Sequence, residues 1–371
     1  MERDSMSMFR KNLADIKPDF RRVQRALHHE EPDRVPFVEG AVDYKIMSRF
    51  IGRPVTDDDL ASQVEFWVGA GYDYILINSG MMRPGKVTKG SQISKVIQGV
   101  LQRDTTDEKD DRTLTLEDHS LIHTEKDFEA FPWVEAARLD YCRFHDVQAY
   151  LPDGMKIIAT SGKIFTLTWM LMGYEDFNVN LKLNPGLVSR VIENVAAIQL
   201  SDIRQLAEIP NLAVVWAVDD LAFHTGPMIS PNDLRKYFFP WYEEFGKICR
   251  DNNLYFFFHS DGVLWDLMED LIALGVDALH PIDPTCMDIE EVKEKIGDRV
   301  CIIGNISNEI LAIGTPDEVT ELTKKRLKVL APGGGYCLGS GNSIPDWAKI
   351  ENYRAMLEAG IKYGYYPIDI Q

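Results

Sequence analysis

The sequence predicts an α/β fold, a single (β/α)8 barrel. Short apolar runs that suit buried parallel strands alternate with longer segments of helical periodicity along nearly the whole chain. The first strand–turn–helix segment lacks the GxGxxG pattern of a doubly wound dinucleotide-binding sheet, which is the structural alternative. The eight predicted strands are residues 35–39, 74–77, 156–160, 212–218, 254–258, 278–282, 300–303 and 336–338.

Helical segments separate these strands, and one has a recognisable first turn: Ser230 is a favoured helix N-cap, with a proline directly behind it. Residues 1–30 are predicted to form an N-terminal helical extension. Residues 94–123 are predicted to insert a β-hairpin after strand 2, because two β-prone runs flank the charged stretch DTTDEKDDR. The whole chain, residues 1–371, is interpreted as one domain.

Composition excludes several classes of function. The chain has 371 residues, 45% of them hydrophobic, and a formal net charge of −18, which disfavours nucleic acid and anionic membrane surfaces as partners. No signal-peptide-like segment opens the chain and no 18 apolar residues run together, so a soluble, cytoplasmic protein is expected. Five cysteines without CxxC spacing indicate reduced thiols.

The strongest candidate site follows the fifth predicted strand. The apolar run LYFFF ends abruptly at His259, with Asp261 two residues further on. Side chains at i and i+2 just past a strand can converge on one ion, and imidazole plus carboxylate suits zinc or another divalent metal. The alternative is a histidine hydrogen-bonded to a neighbouring carbonyl and an aspartate that caps the next helix.

Other polar residues also follow predicted strands, and a barrel would place them at one end. They are Glu39, Asn78, Ser161, Asp219, Asp220, Asp283, Asn305 and Asn342. Asp219 and Asp220 either begin a loop or take part in binding or catalysis, and both alternatives are open. The second alternative arises because partial burial of two adjacent carboxylates is costly unless they have partners. Cys337 lies within the eighth strand, where alternation decides whether its sulfur points into the barrel.

Several longer stretches resemble the uroporphyrinogen decarboxylase superfamily. The resemblance covers nearly all of the chain and rests on RALHHEEPDRVPF, GYDYILI, SGKIFTLTWMLMG, VDDLAFHTGPMISPNDLRKYFFPWY, HSDGVLWDLMEDLIALGVDALHPID, DRVCIIGNIS and GGYCLGSGNSIP. It implies a single-domain (β/α)8 barrel that is usually a homodimer. Membership does not fix activity, because the superfamily includes porphyrin decarboxylases and corrinoid-linked methyltransferases.

The chain departs from the decarboxylase branch at four places. The arginine-rich segment near the N-terminus is missing, and the aspartate after the second strand is replaced in the run that begins at Asn78. Met170 stands where that branch has a tyrosine, and Asn342 where it has a histidine. These losses remove the charge that would hold an octa-acid porphyrinogen and the acid–base groups, which argues against true uroporphyrinogen decarboxylation.

The methyltransferase branch binds zinc through an HxC motif and a later cysteine. Here His259 keeps its place, Asp261 replaces the first cysteine and Asn342 the second. Oxygen ligands in place of thiolates make the ion a harder Lewis acid, better suited to an ether or alcohol oxygen. The resemblance therefore implies an O-demethylase type of methyltransferase, which passes a methyl group from a methoxylated small molecule to a corrinoid carried by a partner protein.

The resulting hypothesis assigns roles to the candidate residues. A divalent metal, expected to be zinc, is held by His259 and Asp261, and by Cys337 if its sulfur faces inward. The catalytic residues are Asp219, Asp220 and Asn342. The substrate-binding residues are Glu39, Asn78, Ser161, Asn305 and His224. Two alternatives stay open: a decarboxylase of a small or tetrapyrrole acid, and a non-catalytic binding barrel.

Overall fold

The structure is a computed structural model that describes residues 17–79 and 120–370. The chain divides into two compact units. The first unit comprises Met1–Leu76, Phe144–Ile158 and Val276–Gln371, and the second comprises Ile77–Arg143 and Ala159–Gly275. The interpretation of residues 1–371 as one domain stays a prediction.

Helices and strands alternate along the described residues. The helices are α1 (Arg21–Leu27), α2 (Tyr44–Ile51), α3 (Leu60–Gly69), α4 (Glu125–Ala130), α5 (Trp133–Ala136), α6 (Cys142–Asp146), α7 (Ile164–Met172), α8 (Tyr174–Leu183), α9 (Pro185–Leu206), α10 (Pro231–Tyr237), α11 (Phe239–Asp251), α12 (Met268–Ala273), α13 (Ile289–Ile296), α14 (Asn308–Ile313), α15 (Pro316–Leu330) and α16 (Ile350–Tyr363). The strands are β1 (Tyr74–Asn78), β2 (Lys156–Ser161), β3 (Leu212–Val218), β4 (Ala222–Phe223), β5 (Gly226–Pro227), β6 (Tyr255–His259), β7 (Ala278–His280), β8 (Cys301–Ile303) and β9 (Tyr336–Cys337).

The second unit is built on the parallel pair β3 and β6. The register runs from Val214 opposite Tyr255 to Val218 opposite His259. Both strands consist largely of buried aliphatic and aromatic residues, as expected for parallel strands covered on both faces. Strands β4 and β5 form a short antiparallel hairpin immediately after β3, which the sequence analysis does not predict.

The first unit contains a second parallel ladder, formed by β7, β8 and β9. Leu279 lies opposite Ile302, and Ile303 lies opposite Cys337. All residues of these three short strands are buried. Helices of the same unit follow each strand, so the alternation that the sequence predicts is confirmed here too.

The first predicted strand, residues 35–39, is wrong as a regular strand. The segment forms a single parallel bridge from Phe37 to Leu338, with hydrogen bonds from Val38 N–H to Leu338 O (2.9 Å) and from Leu338 N–H to Pro36 O (2.9 Å). Pro36 has no N–H to extend the ladder, which explains why the pairing is so short. The other seven predicted strands overlap observed ones within a few residues.

The α/β fold with parallel strands is therefore confirmed, whereas closure into an eight-stranded barrel stays a prediction. Helix α1 lies within the predicted N-terminal helical extension. The predicted hairpin at 94–123 lies almost wholly outside the described residues. Across 17–79 and 120–370, no helix is both long and apolar enough to cross a membrane.

The end of the 35–39 segment is held by a buried carboxyl group. Glu39 accepts hydrogen bonds at Oε1 from Ser340 Oγ (2.6 Å) and at Oε2 from Ser340 N–H (2.9 Å). Its side chain is fully buried, and this burial raises the pKa of Glu39 to about 8 despite the two bonds. The carboxyl group is therefore mostly protonated at neutral pH.

The turn after β2 depends on Gly162. Its φ of +72° lies in the left-handed region, and a Cβ at this position would lie 2.5 Å from Phe245 Cε2. Gly333 has a similar φ of +81° but has no atom within 4 Å of the equivalent position. Both glycines therefore need a positive φ, but only Gly162 lacks room for a Cβ atom.

We expect Gly162→Ala to lower the free energy of unfolding more than Gly333→Ala does. An alanine at positive φ costs about 1–2 kcal/mol at either site, and crowding adds about 1–3 kcal/mol at Gly162 alone. Urea unfolding of both variants measures the difference. Equal losses would contradict the close packing around Gly162.

We expect Glu39→Gln to change how stability depends on pH. In the wild type the folded state keeps a proton that the unfolded state has released between pH 4.5 and about 8, so Glu39 alone lowers the free energy of unfolding by up to about 1.4 kcal/mol per rising pH unit in that window. Glutamine matches the protonated carboxyl group and should remove this slope. Urea unfolding across the window measures it, with Glu193→Gln, at an exposed helix position, as control. An unchanged slope in Glu39→Gln would overturn the assignment.

Candidate metal centre

The carboxyl ends of β3 and β6 bring three side chains together in the second unit. Val218 and His259 are opposite each other in the ladder, so Asp220 follows one strand and Asp261 follows the other at the same edge. His259 Nε2 lies 3.5 Å from Asp220 Oδ1 and 3.9 Å from Asp261 Oδ1. One potential ligand atom from each residue lies within 4.8 Å of the other two. Convergence of His259 and Asp261 is thus observed, and Asp220 joins them.

The three side chains differ in their access to solvent. The side chain of His259 is 11% exposed, whereas those of Asp220 and Asp261 are 47% and 35% exposed. The imidazole therefore lies at the base of the cluster and the carboxylates at its open side. The backbone N–H of Asp261 donates to Asp220 Oδ1 (3.0 Å), which fixes the two carboxylates relative to each other.

The two turns that carry the cluster are tied together. Ser260 Oγ accepts a hydrogen bond from Leu221 N–H (2.9 Å) and donates to Asp261 O (3.0 Å). Gly262 has φ of +91°, and a Cβ there would lie 2.5 Å from Ala222 O. Only glycine permits this close approach, so the segment SDG is built to hold Asp261 against the turn after β3.

Opposite charges dominate the electrostatics of the cluster. Burial by itself would lower the pKa of His259, but the hydrogen bond to Asp220 and the charges of Asp261 and Asp220 outweigh it and raise that pKa. Burial by itself would raise the pKa of Asp220, but the hydrogen bond and charge of His259 outweigh it and lower that pKa. The two carboxylates therefore favour a cation between them.

Asp219 points to a different place from its neighbour Asp220. Asp219 Oδ2 accepts from Phe165 N–H (2.6 Å) and from Tyr242 Oη, and Oδ1 accepts from Thr166 N–H (2.7 Å). Burial outweighs these bonds and raises the pKa of Asp219 to about 6. Its catalytic role stays a prediction, and the contacts describe a carboxylate bound to the N-terminus of α7.

Helix α7 needs this carboxylate because all nine of its residues are buried. The first N–H groups of a helix have no partner inside the helix, and water cannot reach them here. Lys163, the N-cap residue, makes no side-chain cap bond. The capping acceptor is therefore supplied from the end of β3, where the helix dipole also favours a negative charge.

Ser161 takes part in a second buried network around Asp202 of α9. Asp202 accepts hydrogen bonds from Ser161 Oγ (2.6 Å), Ser79 Oγ (2.8 Å) and Tyr141 Oη (2.8 Å). Gln199 Oε1, one turn earlier, accepts from Gly162 N–H (2.9 Å). Asp202 and Gln199 were not predicted from the sequence. They could have been found there, because both are polar side chains on the apolar face of a long helix.

Lys163 is the other residue that the sequence analysis missed. It follows β2 by two residues and is only 8% exposed. The sequence feature that could have indicated Lys163 is its position in the run SGK, directly after a predicted strand.

Two further predicted residues lie in the second unit. Asn78 Oδ1 accepts from Thr160 Oγ1 (2.7 Å) at the ends of β1 and β2. His224 is exposed in the turn between β4 and β5. Neither residue belongs to the cluster of Asp220, His259 and Asp261.

The remaining predicted residues lie in the first unit. Asn342 N–H donates to Ser340 Oγ (3.4 Å), the same hydroxyl that binds Glu39, and Asn305 Nδ2 donates to Ile282 O (2.8 Å). Cys337 is fully buried, and its sulfur lies 3.8 Å from that of Cys301. Asp283 Oδ1 accepts from Thr285 N–H (2.8 Å), so it starts a turn. The roles predicted for these residues in binding stay predictions.

Comparison with known proteins supports the family that the motifs indicate. The family model described as uroporphyrinogen decarboxylase (URO-D) matches residues 113–363. The uroporphyrinogen decarboxylase of Coxiella burnetii (strain Dugway 5J108-111) is 32% identical over 103 residues, which cover 28% of this chain and 27% of that protein. The same enzyme of Dechloromonas aromatica (strain RCB) is 31% identical over 103 residues, 28% of each chain. The matched segment thus spans little more than a quarter of these curated relatives.

A solved structure, a methyltransferase from Methanosarcina mazei, is similar over 92% of this chain and 98% of its own, with a TM-score of 0.61 and 17% identity. This likeness shows a shared fold. Since the family model covers most of the chain, the protein belongs to the uroporphyrinogen decarboxylase (URO-D) family.

Proposed function

We propose that the protein is a metal-dependent methyltransferase that moves a methyl group from a methoxylated small molecule to a corrinoid carried by a partner protein. The observation that carries the proposal is the cluster of Asp220, His259 and Asp261. The structural similarity to a methyltransferase supports the fold needed for such chemistry. A homodimer in the cytoplasm is part of the same proposal.

The donor set fits a divalent cation such as zinc. Metal–ligand bonds of about 2.0–2.2 Å place neighbouring ligand atoms roughly 3.3 Å apart in a tetrahedron. The observed separations of 3.5 and 3.9 Å need only small side-chain adjustments. Three protein ligands leave a fourth position for substrate, as in catalytic zinc sites. Nitrogen and carboxylate oxygen are harder ligands than thiolate, which favours an oxygen-containing substrate.

A cation held there would supply positive charge to the ether oxygen of the substrate as the methyl group leaves. His259, nearly buried at the end of β6, is held by the strand and keeps its ring in place. Asp220 and Asp261 balance the charge of the cation. In the proposed transfer, the carbon–oxygen bond would break with its electron pair left on oxygen, which would then take a proton from solvent. The reduced corrinoid of the partner would supply the electron pair of the new bond to carbon.

The other predicted roles follow from this scheme. Asp219 is proposed to position the first turn of α7 beside the cluster. Within the second unit, the proposed substrate contacts are Asn78, Ser161 and His224. Cys337 is not part of the proposed ligand set, because its buried sulfur contacts that of Cys301.

A second candidate is decarboxylation of a small acid, and Lys163 is the observation that favours it. Few basic residues follow the predicted strands, which counts against an acidic substrate. Lys163 is a basic residue that follows β2 by two positions, and an ammonium group can bind a carboxylate. Release of carbon dioxide from a bound acid would favour this second candidate.

We expect anaerobically purified protein to contain close to one zinc ion per chain. His259→Ala, Asp261→Ala and Asp220→Ala should each weaken zinc binding by at least about 100-fold, because each removes a ligand. Elemental analysis and competition with a chromophoric chelator measure this.

The controls are His123→Ala and Asp266→Ala, which remove an exposed histidine and an exposed aspartate outside the cluster. They should keep the metal. Well-folded wild-type protein without metal would overturn the proposal, as would undiminished zinc binding by the cluster variants. Stoichiometric metal would also exclude a binding barrel that has lost its metal centre.

A further inference from the structure

A serine, a histidine and an aspartate form a hydrogen-bonded chain in the second unit, outside the candidate metal centre. Ser120 Oγ lies 3.3 Å from His123 Nε2, and His123 Nδ1 lies 2.6 Å from Asp176 Oδ2. The two contacts use different ring nitrogens, so the imidazole stands between the hydroxyl group and the carboxylate. A hydroxyl group next to a base that a third group orients is the arrangement of enzymes with a serine nucleophile.

The aspartate determines which ring nitrogen carries the hydrogen atom. An ionised carboxylate can only accept hydrogen bonds, so Nδ1 of the neutral imidazole must donate to Asp176. Nε2 then keeps a lone pair that faces the hydroxyl group of Ser120. The separation of 3.3 Å is slightly longer than an ordinary hydrogen bond, as is common in such pairs without substrate. His123 is therefore in the tautomer that can take the hydroxyl proton.

Backbone hydrogen bonds hold the loop that carries the serine and the histidine. The N–H groups of Leu121 and Ile122 donate to Leu171 O at the end of α7, at 2.8 and 2.9 Å. The side chain of Ile122 is fully buried, which anchors the loop on the protein. The N–H of His123 donates to Asp127 Oδ2 (3.2 Å) in the first turn of α4. The loop is thus fixed at both ends.

Asp176 lies in the first turn of α8, and the same helix offers an apolar surface beside it. Val179 and Leu183 follow three and seven residues later and therefore lie on the same helix face as Asp176. They are 46% and 79% exposed. An exposed apolar strip next to the carboxylate suits an apolar part of a bound substrate, which would be removed from water there.

We propose that Ser120, His123 and Asp176 form a second catalytic site, which hydrolyses carboxylic esters that have an apolar acyl group. Ser120 is the nucleophile, His123 is the general base, and Asp176 is a positioning residue that orients the imidazole ring. The side chains of His123 and Asp176 are 47% and 48% exposed, so the reacting groups are in contact with water. Water stabilises an oxyanion less than preorganised donors do, and the preferred substrates are therefore esters with a good leaving group, such as aryl esters.

The reaction consumes one ester and one water molecule. Ser120 Oγ bonds to the carbonyl carbon while His123 Nε2 takes the hydroxyl proton. The bond from the acyl carbon to the leaving oxygen breaks with its electron pair on that oxygen, which receives the proton from Nε2. A water molecule that Nε2 deprotonates then attacks the acyl–serine ester, and the serine oxygen leaves with its electron pair and regains the proton. The products are a carboxylic acid and an alcohol or phenol.

Hydrolysis of para-nitrophenyl butyrate by the full chain tests the site, with release of nitrophenol as the signal. Ser120→Ala and His123→Ala should each lower kcat/KM by at least about 100-fold, because one removes the nucleophile and the other the base. A fluorophosphonate probe should label Ser120 in the wild type, as located by mass spectrometry of peptides, and should leave Ser120→Ala unlabelled.

Asp176 acts through the histidine, so two substitutions at this position are compared. An asparagine can donate its amide hydrogen to Nδ1, which places the ring hydrogen on Nε2 and removes the base. Asp176→Asn should therefore lower kcat at least about 10-fold with little change in KM, whereas Asp176→Glu should retain most of the activity. Equal kcat values for Asp176→Asn and Asp176→Glu would contradict the role of the carboxylate.

The apolar strip is tested by the length of the acyl chain. Wild-type protein should have a kcat/KM for para-nitrophenyl hexanoate about 3-fold or more above that for the acetate, and Leu183→Ser should reduce this preference. Ile313→Ser, at an exposed apolar position of the first unit, is the control and should keep it. A preference that Leu183→Ser leaves unchanged would contradict binding of the acyl group on α8.

Ser201→Ala and His145→Ala are matched controls for the reacting groups, because both residues are exposed and lie outside the proposed site. They should hydrolyse the ester and react with the probe as the wild type does. Chelator-treated and zinc-loaded protein should have the same rate, since the mechanism uses no metal. The proposal would be overturned by a wild type that is no faster than Ser120→Ala, by a rate that requires zinc, or by labelling of another serine.

Discussion

The hydrogen bonds between Asp219 and the first turn of α7 are the interaction on which the candidate site depends. Helix α7 is buried over its whole length, so its first N–H groups need an acceptor from elsewhere in the protein. Asp219 supplies it, and Tyr242 of α11 donates to the same carboxylate. One buried carboxylate therefore joins the end of β3, the start of α7 and the start of α11.

This junction also determines what the neighbouring residues do. Because Asp219 turns toward α7, the following Asp220 is left to face His259 and Asp261. The two adjacent aspartates therefore have different roles. Asp219 accepts hydrogen bonds from the backbone N–H groups of α7, and Asp220 contributes to the proposed cation site.

Much of the site could be predicted from the sequence, since His259 and Asp261 follow an apolar run that ends abruptly. The choice between Asp219 and Asp220 could not, because it depends on which of them meets the buried helix end. The segment 35–39 has the composition of a strand, but Pro36 limits its pairing to a single bridge. The hairpin of β4 and β5 has two residues in each strand, too few for a periodic pattern.

The central claim is that a metal centre made of nitrogen and oxygen ligands lies at the end of β3 and β6. X-ray absorption spectroscopy at the zinc edge of the metal-loaded protein tests it most directly, because it distinguishes ligand elements by distance. We expect only nitrogen and oxygen neighbours, at about 2.0–2.2 Å from the zinc ion. A sulfur neighbour at about 2.3 Å would contradict it, because the cluster of Asp220, His259 and Asp261 contains no thiolate.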